Sequence, residues 1–176
     1  MTNRSQHGFA LIDLVFVCGM IGVLTSIAMP RMMVARQTAG AASAVGSLRA
    51  VNSAQLSYAF TCGSGFYAPS LTVLGTAPAG TGEAFISPVL GSADAVTHSG
   101  YLIQLTGTPF PGSPTTCNGL GVGESAQAFK AAADPLEAGA FRYFATNANI
   151  TIIEDSASLW AGMPESGEPL SGHPLQ

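Results

Sequence analysis

Between Gly8 and Pro30 the chain reads GFALIDLVFVCGMIGVLTSIAMP, an apolar run that carries a single charge, Asp13. The uninterrupted part, Phe9 to Met29, is 21 residues long. As a helix it measures about 32 Å, enough to cross a hydrocarbon layer of about 30 Å. A secretory signal peptide is the competing reading. Its apolar region is usually about 7–15 residues and ends at a small-residue cleavage site. This run is longer and ends in AMPRMM, so the sequence predicts a membrane-spanning helix. Arg4 precedes the run while Arg31 and Arg36 follow it, a distribution that sets no orientation by itself.

Asp13 needs a reason to be there. An aspartate in the middle of a bilayer costs about 2.5–3.5 kcal/mol on insertion scales, and less near the interface. One reading is a shallow carboxylate that reaches back to water, about one turn from the start of the run. The other needs a cation at the same depth. A cut between Gly8 and Phe9 would free an α-ammonium group on Phe9, and Asp13 lies four residues further along, on the same helix face. Each subunit would then offer one positive and one negative group to its neighbours.

With a short polar leader, MTNRSQHG, ending in Gly8, then Phe9, then Asp13 as the fifth residue after the cut, the sequence resembles the type IV pilin and type II secretion pseudopilin family. Gly22 and Pro30 match the glycine and proline usual further along that family's apolar run. The family usually has Glu where this chain has Asp13; the charge is kept on a side chain one methylene shorter. The resemblance implies that a prepilin peptidase removes residues 1–8 and that the Phe9 amine is N-methylated. It further implies a single pass of the inner membrane, with the N-terminus cytoplasmic and the C-terminal domain periplasmic. Copies of the chain and related pilins would then assemble into a helical filament, with Asp13 guiding docking. The implied fold is a helical stalk, a connecting loop and a small sheet.

The rest of the chain reads as α+β. Segment 9–30 is the membrane or filament-core helix, and 31–61 is its amphipathic half. Pro30 removes a backbone donor and crowds the preceding turn, so a kink is expected there. Gly22 and Pro30 are the weak points of the helix. Ala44, Leu48, Val51, Gln55 and Tyr58 recur at spacings of four and three and mark one buried face. Gly40 and Gly46 weaken this half by up to about 1 kcal/mol each. TCGSG, from Thr61, signals its end. Residues 62–99 read as a long connecting loop holding a short helix begun at Pro69 and stopped by Gly75. Four strand candidates follow, in GYLIQLTG, AQAFKAAADP, AFRYFATN and NITIIED. They predict an antiparallel sheet of three to four strands over 100–160. The Pro- and Gly-rich tail, 161–176, reads as irregular.

Cysteine and charge placement narrow the function. Cys18 lies inside the apolar run as a small apolar residue. Cys62 and Cys117 lie in loops of the part expected to be exported. In an oxidising compartment they are expected to pair, closing a loop of about 56 residues, with two free thiols as the alternative. Beyond Arg49 the only bases are Lys130 and Arg142, against Glu83, Asp94, Glu124, Asp134, Glu137, Glu154, Asp155, Glu165 and Glu168. Such a head repels phosphate backbones, so no direct nucleic-acid binding is expected of it. Arg31 and Arg36, by contrast, suit anionic lipid head groups.

No catalytic constellation is visible, and no enzymatic role, cofactor or metal is expected. His7, His98 and His173 are far apart in sequence. GLGVGE, Gly119 to Glu124, lacks the lysine and helix of a phosphate loop. Calcium at Asp134, Glu137, Glu154 and Asp155 is conceivable by resemblance, on a poor motif match. NIT, Asn149 to Thr151, is a glycosylation sequon, a short pattern that arises by chance. The expectation is therefore a structural filament subunit. The rivals are a minor or priming pseudopilin of a secretion or DNA-uptake system, and a single-span anchored periplasmic binding domain or enzyme.

Overall fold

A computed structural model describes residues 11–137 and 142–175 of the chain. Gly8 and Phe9, and with them the leader and its cleavage point, lie outside the described residues. One helix, α1, runs Leu11–Thr61 without a break. The chain divides into two units, Met1–Ala39 and Gly40–Gln176.

In the first unit α1 is almost wholly apolar from Leu11 to Met29, and none of its described side chains is buried. Leu11, Ile12, Phe16, Val23, Leu24 and Met29 are each more than half exposed. A helix apolar on every side is stable only where something other than water surrounds it. This segment is long and apolar enough to cross a membrane.

The second unit holds the core. Ala44, Leu48, Val51, Gln55 and Tyr58, the stripe expected from spacing, are all fully buried. Each large apolar side chain among them contributes about 1.5–3 kcal/mol of burial. Helix α1 ends where Cys62 and Gly63 both donate to the Tyr58 carbonyl and Gly65 donates to that of Ala59. Gly65 makes this turn at φ +93°, open to glycine without a steric penalty. A Cβ on Gly63 would meet the Phe66 carbonyl and the Tyr58 ring, so the chain can fold back tightly only with glycine there.

The sheet is antiparallel and has six strands, in the order β1-β2-β3-β4-β5-β6. They are β1 (Ala95–His98), β2 (Tyr101–Thr106), β3 (Lys130–Pro135), β4 (Tyr143–Asn147), β5 (Ile153–Asp155) and β6 (His173–Pro174). The expectation of three to four strands is corrected at both edges. β1 lies in the stretch read as loop, where four residues beside a Ser-Gly turn give little pattern. β6 lies in the tail read as irregular. Its proline argues against a central strand, but an edge strand tolerates one because no ladder donor is required. The short helix α2 is Leu71–Leu74, begun by the Ser70 side chain and ended at Gly75, two residues later than its expected start at Pro69.

Register sorts the faces. Val96, Ile103, Ala133 and Phe144 lie side by side across four strands, all buried in the cluster or row that faces α1. Ala132 belongs to the opposite face, with Ala145, Ile153, Leu159 and Met163. Strand β3 is thus covered on both faces, and small side chains let both covers approach closely. The cover on the far face is the C-terminal segment itself. Lys130 donates from its Nζ to the Trp160 carbonyl at 2.9 Å, and Ser158 donates to Asp134 at 2.7 Å. Asn147 donates to the carbonyls of Pro164 and Gly167, at 3.0 and 2.8 Å. The tail is therefore fastened to the sheet, although β6 is the only regular element among its described residues.

Candidate functional site

Two features distinguish this chain: the uncovered helix of the first unit, and the fastening of a long loop in the second.

On the uncovered helix, Asp13 sits exposed in the first turn, among Leu11, Ile12, Leu14 and Val15. Among the described residues its carboxylate has no hydrogen-bond or ion-pair partner; the one ion pair there joins Arg142 to Glu154. Arg31 and Arg36 are also exposed. Between Gly22 and Pro30 the helix is unbroken. Thr25 donates its hydroxyl to the carbonyls of Ile21 and Gly22, at 2.9 and 3.0 Å. Such back-bonding loosens the main-chain ladder and favours bending. The missing N–H of Pro30 leaves the Ser26 carbonyl without its helical donor. Gly22, Thr25 and Pro30 thus place three weakening features within nine residues. The sequence reading identified the glycine and the proline but missed the threonine.

The connecting loop is fastened at four points. Cys62 and Cys117 are disulfide-bonded, with Cα atoms 4.9 Å apart, joining the end of α1 to the loop between β2 and β3. Beside the bridge, Asn118 donates to the carbonyls of Val73 and Thr76, at 2.8 and 3.4 Å, and so closes the end of α2. Asp94 accepts from the backbone and hydroxyl of Thr72, which holds its carboxyl below the usual range. Gln55, buried in α1, donates to the Ala68 carbonyl at 2.8 Å and accepts from its N–H at 2.9 Å. A buried amide satisfied in this way locks the loop to the helix. Periodicity placed Gln55 inside; nothing in the sequence named its partner, 13 residues away.

The carboxylates considered for calcium are dispersed into separate roles. Glu154 is held bidentate by Arg142, at 2.6 and 2.9 Å, and that hydrogen bonding keeps its carboxyl below the usual range. Asp155 accepts from the Ser156 N–H. Asp134 accepts from Ser158, and Glu137 is exposed. Among the described residues no group of three His, Cys, Asp or Glu could hold a metal ion. Nor does Gly119–Glu124 suit a phosphate. Its Gly121 N–H is taken by the Glu124 carboxylate at 2.7 Å, and that carboxylate would repel an anion.

These features amount to an exposed apolar helix of membrane-crossing length that bears a carboxylate, and a disulfide-braced α+β unit. In comparisons with known proteins, no family model, no curated protein sequence and no solved structure matches this chain.

Proposed function

We propose that this chain is the precursor of a filament subunit of the type IV pilin or pseudopilin class, with a mechanical rather than a catalytic role. The observation that carries the reading is the uncovered helix: a membrane-length apolar surface, with no buried side chain among its described residues and a carboxylate in its first turn. A simple anchor gains nothing from that charge. A subunit that leaves the membrane for a filament does gain, because apolar faces of neighbouring copies replace lipid while Asp13 meets the Phe9 ammonium of another copy. The leader pattern, the glycine and proline in register and the disulfide-bonded α+β head support the same reading. Processing by a prepilin peptidase, with the head on the periplasmic side of the inner membrane, belongs to this proposal.

The test combines intact mass with filament yield. Mature protein from membranes is expected to begin at Phe9. Asp13→Ala and Asp13→Asn are expected to insert normally, yet to lower filament yield at least tenfold. An unpaired charge in a dry site costs several kcal/mol, roughly 3–5 when one partner of a buried pair is removed. Asp13→Glu is expected to assemble. Full filament yield from the Ala and Asn variants would reduce Asp13 to a water-seeking carboxylate and overturn the reading.

A further inference from the structure

Asn147 and Asn149 stand two residues apart in the hairpin joining β4 to β5, and their side-chain amides have opposite fates. Asn147 is 3% exposed, and its Nδ2 is already shared between the Pro164 and Gly167 carbonyls. Asn149 is exposed, and its Nδ2 makes no hydrogen bond among the described residues. Its Oδ1 takes only a long contact, 3.5 Å, from the Gly167 N–H. Asn149 is also the first residue of the sequence Asn-Ile-Thr, the acceptor pattern for N-linked sugar. Asn147, followed by Ala148 and Asn149, is not in such a pattern.

The turn presents that pattern outward. Ile150 donates to the Asn147 carbonyl at 2.8 Å, closing a tight loop, and takes φ +64°. A left-handed residue in a hairpin loop is common, but Gly or Asn usually fills it. A β-branched side chain there is an outlier that surrounding structure must impose. The buried Asn52 of α1 holds it by donating to the Ile150 carbonyl at 3.2 Å. The chain therefore turns sharply between Asn149 and Thr151. Both side chains border the same open cavity, of about 300 Å³, beside Gly167 and Glu168. Thr151 is exposed as well.

We propose that Asn149 is an N-glycosylation site, modified from a lipid-diphosphate-linked oligosaccharide by a transferase of the exporting cell. The Asn149 Nδ2 forms a bond to the anomeric carbon of the sugar and releases one proton to the transferase base. The bond from that carbon to the diphosphate oxygen breaks, and the lipid diphosphate leaves with the electron pair. No oxidant or reductant takes part. Thr151 supplies the hydroxyl by which the transferase recognises the acceptor. The site rests on the export of the head that the filament reading requires.

No Lys or Arg stands between Arg142 and Gln176, so trypsin releases Asn147 and Asn149 together on one peptide beginning at Tyr143. In protein isolated from its native host, that peptide is expected to carry sugar mass on Asn149 and none on Asn147. Asn149→Gln and Thr151→Ala are expected to remove the added mass, and Thr151→Ser to keep it. An unmodified peptide from protein whose Cys62 and Cys117 are bridged would overturn the site and leave the filament reading standing. An unmodified peptide from protein with both thiols free would overturn the site and the export on which it rests. Sugar on Asn149 in protein that never enters filaments would support the site and count against the filament.

Discussion

Asp134 shows how one carboxylate can work against the fold that contains it. Its Oδ2 accepts from Ser158, but its Oδ1 is buried without a partner among the described residues. Burial raises its pKa above 3.8, and the Ser158 hydrogen bond opposes the rise only in part. Folding therefore favours the protonated form. The contribution of Asp134 to stability is largest below the ordinary carboxylate range and is lost as pH climbs through the raised value. Asp134→Asn does not titrate. Its stability relative to the parent is expected to rise across that window and then level off, as measured by urea melts between pH 3.5 and 7. A difference independent of pH would show that this carboxyl is well hydrated. Residue-scale chemistry of this kind was only partly legible in the sequence. The spacing that marked Leu48, Val51 and Tyr58 as buried is local. The pairing of Asn52 with Thr146, at 3.0 Å, depends on a strand 94 residues away.

At the scale of elements, legibility followed the length of the pattern. The centres of β2 to β5 were visible because strand patterns ran over several residues, and the end of α1 was visible from the stop signal that starts at Thr61. β1 and β6 were not, because strands of four and two residues form only by adding to an edge that already exists. The alanines of β3 give it weak intrinsic β-propensity. Those alanines, fully buried on both faces, are what a strand between two covers requires. The bridge between Cys62 and Cys117 is the element-scale device with the largest energetic consequence. In the chain-entropy view, closing a loop of this size is worth about 4 kcal/mol. Replacing both cysteines by serine is expected to lower the unfolding free energy of the head by about 2–4 kcal/mol in denaturant titrations. A loss under about 0.5 kcal/mol would mean that Asn118, Asp94 and Gln55 hold the loop unaided.

Taken whole, the molecule separates two solubility problems. Among the described residues the buried core begins at Ala41, and most of the exposed large apolar side chains lie in the first unit. A fragment covering 40–176, made in an oxidising compartment, is therefore expected to fold and stay in solution without detergent, whereas the full chain needs it. Aggregation of that fragment with its disulfide formed would show that the head depends on the helix before Gly40. The acidic composition of the head and the apolar run were both plain from the sequence, but the C-terminal cover on the far face of the sheet was not. Its hold comes from Lys130, Asp134 and Asn147, which alternate along strands and show no pattern of their own in the tail. The position of the bridge also has a meaning under load. It stands one residue past the end of α1, so tension drawn along that helix passes into a covalent link before it reaches the ladder of the sheet. Pulled by its ends, an intact head cannot pay out the 55-residue separation between its two cysteines, whereas a reduced head would yield about 180–200 Å of additional chain.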